Sequence, residues 1–131
     1  MLVELHVPIS VGELIDKLTI LSIKLRRLDH PERLENVRHE HEALEAVARS
    51  AGLRERIDLA DLEGALLDVN EALWQIEDAI RDCERMGDFG PAFVELARSV
   101  YRTNDRRSAL KRQINLLCGS SLIEEKSYSS Y

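Results

Sequence analysis

At 131 residues, with 44% apolar and 32% charged residues, the chain has the size and composition of one globular domain able to bury a core without disulfides or metals. It has no run of 18 apolar residues, and MLVELHVPIS lacks a basic leader or a signal-length apolar stretch, so a cytoplasmic protein with no membrane span is expected. A net charge of −6 and only 5% aromatic residues argue against nucleic-acid binding.

Residues 2–7, LVELHV, alternate: Val3, Leu5 and Val7 point one way, Glu4 and His6 the other. That is the period of a strand. No second such run exists, so a strand would need the C-terminal tail or a second subunit as partner. Otherwise residues 1–9 form an extended arm lying on a helical body. Pro8 closes the arm. Ser10-Val11-Gly12-Glu13 then reads as a capping box, in which the Ser10 hydroxyl accepts from the Glu13 amide and the Glu13 carboxylate reaches back.

The first helix is expected over about 11–28. Val11, Leu14, Leu18, Leu21, Leu25 and Leu28 step alternately by three and four residues, a heptad seam. Ile15, Ile20 and Ile23 broaden the seam, which predicts a helix covered on more than one side. Pro31 suits a first helical position, and a second helix follows over about 31–51 with a weaker stripe of Leu34, Val37, Leu44, Val47 and Ala48. His41 stands in that stripe and is expected to bond to a neighbouring helix.

The third helix, 59–86, has the cleanest seam, from Leu62, Leu66 and Val69 through Leu73, Ile76 and Ile80 to Cys83. A turn at Gly87–Pro91 leads to the fourth helix, 91–118, which Gly119 closes as a left-handed cap before a tail of residues 119–131. Short connections make consecutive helices antiparallel. The expected fold is all-α in one domain: an antiparallel four-helix bundle, or paired long helical hairpins, with a short extended N-terminal arm. Cys83 and Cys118 form no CxxC pair and read as reduced, buried thiols.

No glycine-rich phosphate loop and no HExxH motif is present. His39 and His41 are two apart and point to different sides of a helix. Glu32, Glu35, Glu42 and Glu45 make two ExxE pairs of the kind that helical Mg²⁺-dependent hydrolases use, but the third helix has no matching inward pair, so a solvated acidic face is the favoured reading. No metal and no cofactor is expected.

Charge is spread unevenly. Residues 29–90 carry 17 acidic residues against 7 arginines, while residues 91–118 carry six basic residues against Glu95 and Asp105. The basic fourth helix either packs beside acidic ones or faces an anion. Its apolar stripe turns polar at Thr103 and Arg107. A buried arginine without a partner costs several kcal/mol. Arg107 therefore pairs with an acid on the third helix such as Asp78, or lies on the surface, or joins Thr19, Asn104 and Lys111 around an anionic ligand. Trp74 and Gln75 stand where they would flank such a pocket.

The stretch PISVGELIDKLTILSIKLRRL (8–28), together with NDRRSALKRQINLLCGSSLIEEKSY (104–128), resembles a family of short bacterial proteins of unknown function. The resemblance implies a small bacterial helical protein and transfers no catalytic residue. It brings Glu13, Asp16, Lys17 and Lys24 into one pattern with Asn104, Lys111, Asn115, Glu125, Lys126 and Tyr128. The first helix also looks a little like that of all-helical chorismate mutases, which hold a dicarboxylate with buried Arg and Lys. It departs from them in having no Arg at its middle.

Two functions are compatible with these features. One is a non-catalytic protein-interaction module, a homodimer or bound to another protein partner, suggested by the heptad seams, the stray arm and apolar residues on both flanks of the first helix. The other is a small helical enzyme or binding protein for a small anionic ligand. Its polar site would lie between the first and fourth helices, at Glu13, Asp16, Lys17 and Lys24 facing Asn104, Arg107, Lys111 and Asn115.

Overall fold

Ser10 starts the first helix through its hydroxyl, which accepts a hydrogen bond from the Glu13 amide at 3.1 Å. In the computed structural model, which describes residues 2–131, α1 spans Val11–Arg27, α2 Pro31–Ser50, α3 Leu59–Met86 and α4 Pro91–Cys118. Residue 1 of the expected arm lies outside the described residues. A 3₁₀ turn at Leu53–Glu55 joins α2 to α3. Gly87 and Gly119 close α3 and α4 at φ 67° and 65°, a conformation that residues with a Cβ adopt at a cost.

The chain is all-α, and α1 is its centre. It packs against α2 on one side and against the α3–α4 hairpin on the other, while α2 contacts little beyond α1 and the 3₁₀ turn. This arrangement explains the apolar residues on both flanks of α1: they are covered within the chain. Leu14, Ile15 and Leu18 meet Ala48, Leu53, Leu59, Leu66 and Ile114 in the core. Burying each large side chain contributes about 1.5–3 kcal/mol. Ion pairs reinforce the joints. Arg54 of the turn bonds to Glu45 of α2 at 2.6 Å and to Glu63 of α3 at 2.7 Å, and Arg26 and Arg27 at the end of α1 both hold Glu71 of α3.

The helices differ in length. α1 has 17 residues and α3 and α4 have 28 each, which at the helical rise means about 25 Å against about 42 Å. The hairpin therefore outreaches α1. The α3 seam is buried at Leu66 and Val69 but only half-buried at Leu73, Ile76, Ile80 and Cys83. Both cysteines are free, and both are half-buried rather than buried.

Three other expectations change. The arm forms no strand and does not lie on the bundle: Leu2, Val3, Leu5 and Val7 are 74–101% exposed, since no neighbouring strand takes up its backbone groups. His41 is half-buried and makes no side-chain hydrogen bond among the described residues, because α2 has almost no neighbour besides α1. Basic α4 and acidic α3 lie side by side, yet the ion pairs of α4 to other elements reach α1 and the tail, not α3.

Candidate functional site

Asp16 sits on the face of α1 that turns toward the hairpin and is fully buried. Its carboxylate is held from two elements, α3 and α4. Arg107 of α4 donates Nε to Oδ1 at 3.0 Å and Nη2 to Oδ2. Asn70 of α3 donates Nδ2 to Oδ1 at 2.9 Å and also to the Thr19 hydroxyl at 2.9 Å, and that hydroxyl donates to the Asp16 carbonyl at 2.7 Å. Lys111, one turn on from Arg107, places Nζ 3.8 Å from Asp16 Oδ2, 2.6 Å from Glu13 Oε2 and 3.2 Å from Glu124 Oε2.

The spacing explains the register. Glu13 and Asp16 are three apart on α1, Arg107 and Lys111 four apart on α4, so each pair shares one helix face and the antiparallel helices match them across the seam. Arg107 thus pairs with Asp16, not with an α3 acid such as Asp78, because α1 lies directly against that face of α4. Glu13 turns to Lys111 instead of reaching back over its own helix start.

Burial alone would push the Asp16 carboxyl up. The Arg107 and Asn70 hydrogen bonds and the Lys111 charge outweigh it and hold the group below the ordinary aspartate value. Burial likewise works against charge on Lys111, and Glu13, Asp16 and Glu124 outweigh it, so its ammonium is held above its usual value. The bidentate bond to Asp16 raises Arg107 further.

One turn below, the helices approach more closely. The Gly12 amide donates to Asn115 Oδ1 at 2.6 Å, and a Cβ on Gly12 would stand 2.5 Å from the Lys111 carbonyl oxygen. The Val11 amide donates to Ser120 Oγ at 3.2 Å, so two of the amides left free at the start of α1 are taken by residues from the far end of the chain. The tail then returns along α4: Glu124 meets Lys111, Glu125 meets Arg112 at 3.1 Å, and Tyr131 donates to Asp105 at 2.6 Å with its ring 4.9 Å from Tyr101.

Of the residues nominated from the sequence, Glu13, Asp16, Arg107, Lys111 and Asn115 converge. Lys17 is exposed and Lys24 half-exposed, and neither makes an ion pair among the described residues. Asn104 lies further along α4, where with Arg107 it borders a cleft of about 560 Å³ between α1 and the hairpin. Asn70, Gly12, Ser120 and Glu124 were not nominated. Gly12 carried a usable signal, since a glycine inside a first helical turn often marks close backbone approach. The partners of Arg107 and Lys111 are three carboxylates, so the cluster presents no unmatched cation. Among the described residues, no helix is long and apolar enough to cross a membrane, and no group of three or more His, Cys, Asp or Glu is placed to hold a metal.

The fold and the site define a small helical protein whose buried cations are matched from within and whose polar centre ties the start of α1 to the end of α4 and the tail. The profile of a family of unknown function, DUF6165, matches residues 5–131, and the chain belongs to that family. Neither the curated proteins nor the solved structures contain a match.

Proposed function

We propose that the chain is a non-catalytic helical module that acts by association, and that its N-terminal arm pairs with the arm of a second copy. The carrying observation is the arm itself, with four large apolar side chains held in water at residues 2, 3, 5 and 7. Its sequence is self-complementary. Antiparallel pairing about Leu5 sets Leu5 against Leu5 and Val3 against Val7 on one face, and Glu4 against His6 on the other. A two-stranded ribbon alone is marginal in water. Ile9, Leu122 and Ile123, all partly exposed near the base of the arm, offer apolar surface for its inner face.

The neutralised polar centre favours this reading over a site for an anionic metabolite. An incoming anion would have to displace Asp16, Glu13 or Glu124 from Arg107 and Lys111. The comparison with helical mutases weakens for the same reason, as α1 contributes a buried carboxylate where those enzymes need a cation. The free cysteines fit the reducing interior of a bacterial cell.

Sedimentation velocity across a concentration series tests the proposal. The wild type sediments as a dimer, and Leu5→Asp, at a position 83% exposed, gives a monomer with unchanged helical circular dichroism. A wild type that stays monomeric to high micromolar concentration refutes it.

A further inference from the structure

The cleft beside the polar centre differs from that centre in one respect: its polar groups are not all engaged. Its apolar walls are Ile20 and Ile23 of α1 and Leu73 and Trp74 of α3. Asp78, Asn104 and the outer part of Arg107 border them, with the Glu77–Arg81 ion pair at the rim. The volume of about 560 Å³ is that of a small-molecule site, and apolar walls with a few convergent polar groups are the usual composition of one.

The charges there select a ligand class. Arg107 is committed to Asp16 through two nitrogens, and Arg81 to Glu77. Among the described residues, Asp78 makes no ion pair and no side-chain hydrogen bond, and neither the Asn104 amide nor the Trp74 indole N–H has a partner. No buried side-chain polar atom among the described residues lacks a partner, so these free groups meet solvent. The lining balances, with Glu77 and Asp78 against Arg81 and Arg107, but the two arginines are taken up by Glu77 and by Asp16 behind the cleft, so Asp78 is the lining carboxylate left without a partner among the described residues.

We infer that this cleft binds a small organic cation: an ammonium group paired with Asp78, on an apolar or aromatic body that lies over Trp74, Leu73 and the two isoleucines. The ligand charge is thus opposite to the one that the basic character of α4 suggests. Arg27 already stands 5.8 Å from the centre of the Trp74 ring, so the ring serves the ligand as apolar wall, and the ammonium is placed by Asp78 alone. Asn104 and the Trp74 N–H remain to hydrogen-bond a hydroxyl or carbonyl on the ligand.

Trp74 is the single tryptophan, so its fluorescence reports directly on the cleft. The full chain is titrated with phenethylamine, with 2-phenylethanol as the uncharged counterpart and with 3-phenylpropionate as the anion. Saturable change with the amine is expected, with an affinity at least about fivefold above that of the alcohol and a larger margin over the carboxylate. Asp78→Asn, at an exposed position that leaves the core untouched, removes the amine's advantage while the alcohol titrates as before. The inference is overturned by a flat response to all three probes, by a carboxylate that binds as well as the amine, or by an amine preference that survives Asp78→Asn.

Discussion

Replacing Arg107 with methionine strands the Asp16 carboxylate. The side chain of Asp16 is 1% exposed and cannot be rehydrated in place, whereas that of Arg107 is 28% exposed. Breaking a buried pair by removing one member costs about 3–5 kcal/mol. Two features soften this: the partial exposure of Arg107, and Lys111, whose Nζ is 3.8 Å from the orphaned oxygen. A loss of about 2–3 kcal/mol is expected, a fall in midpoint of roughly 6–15 °C for a chain of this size. Asp16→Asn is the contrasting variant. It leaves a guanidinium that can swing into water, so it costs only about 1–2 kcal/mol. Urea unfolding followed by far-ultraviolet circular dichroism reads both as shifts of the midpoint at constant slope. The two variants also respond differently to acid. Without Arg107, burial drives the Asp16 carboxyl upward, so protonation relieves that variant and its deficit narrows as the pH falls. If Arg107→Met costs under about 1 kcal/mol, or if Asp16→Asn costs as much, the carboxylate is solvated and this account of the polar centre fails.

Acid should also unfold the wild type in a defined window. Asp16 and Glu124 are both held below their ordinary values, so their stabilisation is full above about pH 5 and is lost as the pH falls through the depressed values; a pH series of thermal melts measures the slope. Gly12→Ala gains about 1 kcal/mol of helix propensity yet drives a methyl into the Lys111 carbonyl, for a net loss of at least about 1–2 kcal/mol; an unchanged melting midpoint would contradict the close approach. Asn115→Ala deprives the buried Gly12 amide of its acceptor and costs about 1–3 kcal/mol by urea unfolding. Deleting residues 122–131 removes ion pairs whose tail partners are 42% and 76% exposed, so the loss is under about 1 kcal/mol and disappears in high salt.

The helices were legible because their signals are local. The seam of α1, the Ser10 cap, the two proline starts and the Gly87 and Gly119 stops each follow from residues within one or two turns, and the observed ends fall within a residue of the expected ones. The polar break at Thr103 and Arg107 also pointed to a real feature, since Thr103 is buried and Arg107 half-buried. Its partner was less legible. Choosing Asp16 over Asp78 depends on which faces of three helices meet, and periodicity along each helix does not set their relative rotation. Lys17 illustrates the same limit: it is next to Asp16 in the chain and about 100° around the helix from it, enough to place one in water and the other in the core. Asn70 stands four residues after Leu66 and three before Leu73, so the helical period puts it on the seam side; what its polar side chain meets there depends on the neighbouring helix and is not written in α3.

The order in which the ribosome makes these parts has a consequence for how they assemble. Asp16 belongs to the helix on which all the others pack, yet its arginine partner lies 91 residues later. At usual translation speeds the gap is roughly 5–20 s. During it α1 and α2 can pair, since α2 takes the other side of α1, but α3 cannot close over the carboxylate without leaving it short of its arginine. The buried charge is thus expected to oppose docking of α3 until α4 supplies its arginine and lysine. A fragment that ends before α4 should remain open and soluble, and the complete chain should fold in a single late step.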